Sequence, residues 1–487
     1  MKLKLHLFSF VMLISILLSL YIPLFTIIDF IPIEKQQVMS EIPKLKPSYQ
    51  GYINESDQEI FWFIQLTDLL YNNPQSGINL NTFFNETYKE IDPLFVISTG
   101  DLVHGGVYPD FSHDTEHWLN YSNVLASNNL NSSVYIDLIG EHDVSNIPNK
   151  TYYLDYSMLG SEIGDTNYSF IKSFSFGDYA FICLDTTKNE PYIQFDLINY
   201  EINYYGHLYR DQLDWYEAKL EEYKDYDGIF TFGHHVNLRE NAPYNYAIIS
   251  ETTTSGRDFV TLNNDYNVTC YISGHTRVNI IQHRLGNNFF EIETEDFDIK
   301  HAYRIIAMDN NSFSTSVEYL NTWPQGVITS PPTTAFYSDG LNLNDTKIRA
   351  LVWDPLGLNS VEWCAYDASR ILVTNWKPML KVDGDSPLWQ GDWNYSLNDG
   401  NLYYINVKIN GSSGVTIKEI IHTFGEPSDI PPDTPPDDSP GNPFEDLLAL
   451  INNLQGLKYL PIILIIAGIF VIVISLVRTI RLRAKTR

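Results

Sequence analysis

The chain has 487 residues, 44% hydrophobic and 19% charged, which is enough to bury a core and to form more than one domain. Its net charge is −29, and seven of its 31 Lys and Arg lie in the two terminal apolar segments and their flanks, so the stretch between them is more acidic still. That balance argues against nucleic acid as a partner, and three cysteines make no disulfide framework.

Met1-Lys2-Leu3-Lys4 opens with positive charge, and Leu7 to Ile28 is free of charged residues. Residues 1–31 read as a membrane anchor or a long signal segment, the run having spanning length. After Glu59 the pattern alternates strand and helix. Ile60 to Leu66, with Phe61-Trp62-Phe63-Ile64, suits a strand buried on both faces. Asn79 to Ile91 reads as a helix and Leu94 to Ile97 as a strand. Thr115 to Ser127 is helical, with Trp118, Tyr121 and Leu125 on one stripe. Ser169 to Ser175 and Tyr179 to Leu184 read as a strand pair turning at Gly177-Asp178. Between Thr187 and Tyr209 lies an aromatic insertion, either a substrate wall or a self-packed loop. Arg210 to Tyr223 is an amphipathic helix with Leu213, Tyr216 and Leu220 inward. Strands follow at Val268 to Ile272, Val278 to His283, Phe289 to Glu293 and Tyr303 to Met308. This mixed order predicts an α/β domain over 55–318, built as a two-sheet sandwich flanked by helices.

From Gly326 the helical signal stops. Short runs at Lys347 to Val352, Val361 to Tyr366, Tyr403 to Ile409 and Thr416 to Thr423, separated by turn residues, predict an immunoglobulin-like β-sandwich over 326–425. Residues 426–443 form a Pro/Asp-rich stalk, 459–477 a transmembrane helix, and 478–487, with Arg478, Arg481, Arg483, Lys485 and Arg487, a basic cytoplasmic tail. The middle then lies on the extracellular or lumenal side, and eleven Asn-x-Ser/Thr sequons, all between the two membrane segments, predict a glycoprotein.

Five apolar runs end in a small residue followed by Asp, Glu or His. They are Gln65-Leu66-Thr67-Asp68, Ser98-Thr99-Gly100-Asp101, Ile139-Gly140-Glu141-His142-Asp143, Thr231-Phe232-Gly233-His234-His235 and Ile272-Ser273-Gly274-His275-Thr276-Arg277. Strand ends are where open α/β sheets place chemistry. Carboxylates and imidazoles drawn from several strands are what a divalent metal centre that handles phosphate requires.

In this order the motifs resemble the calcineurin-like metallophosphoesterase superfamily, whose pattern runs Asp-x-His, Gly-Asp, Gly-Asn-His-Asp/Glu, Gly-His, Gly-His-x-His. The chain resembles in particular its membrane-anchored members, through Asp143-Val144-Ser145-Asn146-Ile147-Pro148, Phe176 to Asp185 and Tyr303-Arg304-Ile305 followed by Trp323-Pro324. The resemblance implies a two-metal site. Its first half would use Asp68, position 70, Asp101 and position 277, and its second half Asp101, position 141, His234 and His275. It implies His142 as general acid, with Asp143 beside it.

The departures are specific. Position 70 is Leu and position 277 is Arg, so the first half lacks two ligands; the family Asn is Glu141; and His104 stands three after the bridging Asp101, as a possible substitute ligand. Three carboxylates against Arg277 and one ion sum to about zero charge, where the family centre is positive. One divalent cation (Mn, Fe, Zn or similar) is therefore expected, with Arg277 paired to Asp68 through its planar fork. Two functions remain open. One is a phosphoesterase on a phosphate mono- or diester, with Arg277 replacing one metal. The other is an ectodomain that kept the fold and one ion while hydrolysis weakened or was lost, and that binds a protein ligand.

Overall fold

A computed structural model describes residues 50–55, 58–104, 115–144, 150–188, 205–237, 247–283, 288–332, 347–392 and 402–423. Both terminal apolar runs, the stalk, the basic tail and most of the aromatic insertion lie outside the described residues. Among the described residues no helix is long and apolar enough to cross a membrane.

The strands in chain order are β1 (Tyr52–Glu55), β2 (Gln58–Leu66), β3 (Val96–Ser98), β4 (Tyr135–Asp137), β5 (Tyr168–Phe174), β6 (Gly177–Cys183), β7 (Gly206–Leu208), β8 (Gly228–Phe232), β9 (Ile248–Ser250), β10 (Cys270–Ser273), β11 (Ile280–His283), β12 (Phe290–Glu293), β13 (Ala302–Asp309) and β14 (Ser312–Tyr319). One six-stranded sheet runs β14-β13-β2-β3-β4, with β1 also on β2; the other runs β11-β12-β10-β8-β6-β5. The central strands of each are parallel, β2-β3-β4 in the first and β6-β8-β10-β12 in the second. The ends of β2, β3, β4, β8 and β10 therefore open on one edge, which is what gathers the five polar strand ends.

Strand β2 shows why its sequence has no clean alternation. Phe61 and Phe63 point between the sheets, Phe63 onto Phe95, Phe181 and Phe230 and Phe61 onto Phe174 and Tyr179. Ile60, Trp62, Ile64 and Leu66 point the other way, into a second core with Phe83, Phe84, Trp118 and Tyr121. With period two and both faces buried, every position from Ile60 to Ile64 is apolar. Strand β6 divides likewise, with Ala180 and Ile182 under the outer helix Arg210–Tyr223.

That helix and Thr115–Ser127 have the expected bounds. The first helix differs. It starts at Pro74, because Asn73 caps it by accepting the N–H of Gln75 and Ser76, and a π-turn at Phe83–Thr87 rotates both Phe83 and Phe84 inward. The β5–β6 hairpin turns at Ser175-Phe176, two residues before the expected Gly177-Asp178. Strand β14 and the short helices Thr151–Tyr156, Met158–Ile163 and Phe259–Asp265 were not legible in the periodicity.

From Gln325 the described residues form eight more strands, β15 (Gln325–Ser330), β16 (Lys347–Trp353), β17 (Leu358–Asp367), β18 (Leu372–Pro378), β19 (Leu380–Lys381), β20 (Leu388–Asp392), β21 (Leu402–Gly411) and β22 (Val415–Thr423). They make two four-stranded sheets, β15-β16-β20-β19 and β18-β17-β21-β22, with every pair antiparallel, around a core that includes Trp363, Val407 and Ile405. Cys364 is a buried free thiol, as are Cys183 and Cys270.

This sandwich is fastened to the α/β domain. Val327, Leu351, Trp353 and Leu388 join the outer core of that domain, and Trp353 packs on Trp62 with ring centroids 6.0 Å apart. Two ion pairs flank the contact, Arg349 with Asp309 at 2.9 Å and Lys418 with Glu318. Burial pushes the Asp309 carboxyl up to about 6 even though Arg349 and Thr329 work against the shift.

Candidate metal centre

The five strand ends converge. The backbone is strained where three of them turn, after β2, β3 and β10: Asp68, Leu70, Asp101, His275 and Arg277 all have positive φ, between 42° and 70°. Such conformations cost about 1–3 kcal/mol each and collect at functional sites. The close approach also explains two glycines. A Cβ on Gly100 would meet the His234 ring at 2.7 Å, and one on Gly274 would meet Thr67 Oγ1 at 1.8 Å. Beneath the site a buried polar network ties the sheets together. Gln65 donates to Thr99 Oγ1 and to the Ser273 carbonyl, both at 2.9 Å, while Thr294 donates to Gln65. Arg304, fully buried and lowered by that burial to about 10, donates to Thr294 Oγ1 and the Glu293 carbonyl.

Glu141 sits at the middle. Its Oε2 is 2.5 Å from His234 Nε2 and its Oε1 is 2.7 Å from His275 Nδ1. Asp101 Oδ2 lies 3.3 Å from the same His234 nitrogen. His234 Nδ1 is 2.8 Å from the Thr99 carbonyl, to which only an N–H can donate, so the neutral ring presents the Nε2 lone pair to the two carboxylates. Burial alone would raise the Glu141 carboxyl, but the His234 and His275 imidazoles outweigh it and hold it well below the ordinary range. Burial works against charge on His234 too, yet Asp101 and Glu141 raise it well above the usual imidazole value.

Asp68, Asp101 and His234 form a second group whose ligand atoms all lie within 4.8 Å of one another, and Glu141, His235 and His275 form a third. Asp68 Oδ1, Asp101 Oδ2, Glu141 Oε2 and His234 Nε2 are buried without a hydrogen-bond partner. Buried polar atoms are rarely left so. Four of them aimed at one another fit a divalent cation, and a mixed carboxylate and imidazole set suits Mn, Fe or Zn.

The other half is different. Leu70 is buried, its backbone N–H bonded to the Asp101 carbonyl. Arg277 Nε is 3.5 Å from Asp68 Oδ1, with the side chain 36% exposed. Burial disfavours its charge, but Asp68, Asp101, Asp296 and Glu141 more than compensate. Asp68 is pushed up by burial and Asp101, against His234 and Arg277, while Thr67 Oγ1 and the His275 N–H donate to its Oδ2.

His142 lies beside Asp101, its Nε2 3.8 Å from Oδ2 and its backbone N–H on Oδ1 at 2.9 Å. The His104 ring packs edge-on to it at 5.2 Å between centroids, which places His104 beside His142. Asp143 points elsewhere. It accepts the backbone N–H of Leu102, Val103 and Gly140 at 3.2, 3.0 and 2.8 Å, so it clamps the β3 and β4 loops together. Asp137, in the same apolar stretch, likewise holds Tyr121 and the N–H of Met158 and Leu159.

Sequence reasoning passed over His235 and Thr186. His235 is fully buried, 3.5 Å from Glu141 Oε2, with its Nδ1 2.8 Å from Thr186 Oγ1. The Gly-His-His run was its one signal; Thr186, 49 residues away, had none.

The family model for calcineurin-like phosphoesterases matches residues 61–279, a span that contains every candidate ligand. The chain is 25% identical over 360 residues to Transmembrane protein 62 of Mus musculus, covering 67% of this chain and 52% of that protein. It is 23% identical over 249 residues to a protein of Arabidopsis thaliana with a metallophosphoesterase name, covering 47% of this chain and 31% of that one. The chain thus spans about half of the length of the first of these relatives and about a third of the second. Among solved structures, a phosphopantetheinyl hydrolase from Mycobacterium tuberculosis matches 48% of this chain and 89% of its own, at 14% identity and a TM-score of 0.31. Residues 61–279 thus form a calcineurin-like phosphoesterase domain, and the chain is similar over much of its length to Transmembrane protein 62.

Proposed function

We propose that this is a membrane-anchored, outward-facing phosphoesterase-fold protein that holds one divalent cation through Asp101, Glu141, His234 and His275, with phosphoester hydrolysis weak or lost. The observation that carries the reading is the asymmetry of the two halves: ligand atoms converge on Glu141, whereas the other half offers a buried Leu70 and an arginine on Asp68. When bound, the cation supplies a Lewis acid for a phosphoryl oxygen. Arg277 supplies a fixed charge and a planar set of N–H donors, which orient and neutralise phosphate. His142 is placed to hand a proton to a leaving group.

A second reading, an active phosphoesterase with Arg277 in place of one metal, is favoured by one observation. Arg277 and His142 are both partly exposed, and each lies beside a buried carboxylate of the site, Asp68 and Asp101 respectively. Anchoring rests on the apolar runs and their Lys and Arg flanks, with the immunoglobulin-like sandwich between the phosphoesterase domain and the stalk, and sequon glycans on the outer face. A phosphoester or a protein ligand of the outer side is the partner this arrangement serves.

Turnover of an aryl phosphate mono- and diester by the Mn(II)-loaded full-length protein separates the readings. We expect slow turnover at best in the parent, and a gain of about tenfold or more in metal-dependent turnover for Leu70→His with Arg277→His, which restores the missing ligands. Fast turnover in the parent that is abolished by His142→Ala or Arg277→Ala would establish the second reading instead.

A further inference from the structure

Three imidazoles reach Glu141, and the hydrogen-bond network distinguishes them. Thr186 Oγ1 accepts the backbone N–H of His234 at 3.2 Å and of His235 at 3.1 Å. Both hydroxyl lone pairs are then used, so the hydroxyl proton goes to the remaining neighbour, His235 Nδ1, at 2.8 Å. A neutral ring that accepts at Nδ1 carries its proton on Nε2. That nitrogen lies 3.5 Å from Glu141 Oε2, an ion-pair approach short of hydrogen-bond geometry, so the oxygen keeps its lone pairs for a cation. His234 has the opposite tautomer, with its proton on Nδ1 facing the Thr99 carbonyl and its lone pair facing Asp101 and Glu141.

We propose that His235 is a positioning residue, which aims its Nε2–H at Glu141 and orients that carboxylate, while His234 and His275 are the imidazole ligands of the cation. This rests on the reading that a cation occupies the centre. The ring is held in place for the task. A Cβ on Gly206 would meet its Cγ at 2.6 Å, the His275 ring packs on it at 4.6 Å between centroids, and Tyr271 Oη donates to its carbonyl at 2.6 Å. A carboxylate at position 141 suits the arrangement, because it has lone pairs enough for an N–H on one side and a cation on the other. Outer partners that fix a ligand in this way are worth roughly 10–100-fold in metal affinity.

The test uses the full-length protein titrated with Mn(II), with dissociation constants from calorimetry and coordinated nitrogens counted by pulsed electron paramagnetic resonance. The parent is expected to show two imidazole nitrogens on the ion. His235→Gln, whose side-chain N–H can reach the same oxygen, should keep both nitrogens and bind much more tightly than His235→Ala. His235→Ala should also keep both nitrogens but lose about 10–100-fold in affinity. A third nitrogen in the parent that disappears in His235→Gln would make His235 a ligand and overturn the proposal. Equal affinity in His235→Ala and the parent would reduce it to packing. A parent that takes up no Mn(II) would instead overturn the cation reading on which the proposal stands.

Discussion

His234→Ala is expected to abolish divalent-cation binding, with a loss of affinity well beyond the roughly 100-fold that removal of an outer partner costs. The ring is fully buried, its Nε2 lies nearest both Asp101 and Glu141, and its Nδ1 is tied to the Thr99 carbonyl. Alanine would leave two buried carboxylates facing each other with their counter-group gone, and a cavity against Gly100. Leaving a buried charge unpaired costs about 3–5 kcal/mol, so the variant should also melt earlier. Calorimetric titration with Mn(II), beside a thermal melt, reads both effects. Binding within tenfold of the parent would mean that the cation is held elsewhere.

Trp353→Ala is expected to cost about 3–5 kcal/mol and to uncouple the β-sandwich from the phosphoesterase domain. Trp353 is 4% exposed and packs on Trp62, which is itself fully buried and donates its indole N–H to the Ile91 carbonyl. The same core takes in Val327, Leu351 and Leu388 from the sandwich, so one contiguous cluster serves both parts. Scanning calorimetry should give a single endotherm for the two parts in the parent and two in the variant. Two endotherms in the parent would show that the shared core does not couple them.

How far the sequence reached follows from how local each signal is. The helices Thr115–Ser127 and Arg210–Tyr223 carry complete apolar stripes, Trp118 with Tyr121 and Leu125, and Leu213 with Tyr216 and Leu220, so their bounds were legible. The π-turn at Phe83–Thr87 was not, because it serves two aromatic side chains packed by tertiary contacts. Strand β14 was hidden by its Ser and Thr, two of them, Ser314 and Thr315, buried, with Thr315 donating to the Ile305 carbonyl. At the site, the small residue before each Asp or His marked a tight strand end, and the fold brings Asp68, Asp101, Glu141, His234, His275 and Arg277 together there. Adjacency in sequence misled for Asp143, which was paired with His142 by position while its carboxylate clamps three backbone N–H groups of the neighbouring loops. The role of His235 depends on a threonine that no spacing connects to it.

The central claim, one cation held by the Glu141 half of the site and an arginine in place of the other, is tested most directly by elemental analysis of the metal-loaded, extensively dialysed full-length protein. The account predicts one divalent ion per chain in the parent and a second in the Leu70→His, Arg277→His variant. Two tightly held ions per chain in the parent would contradict it, because Asp68 would then carry a metal where the structure places Arg277.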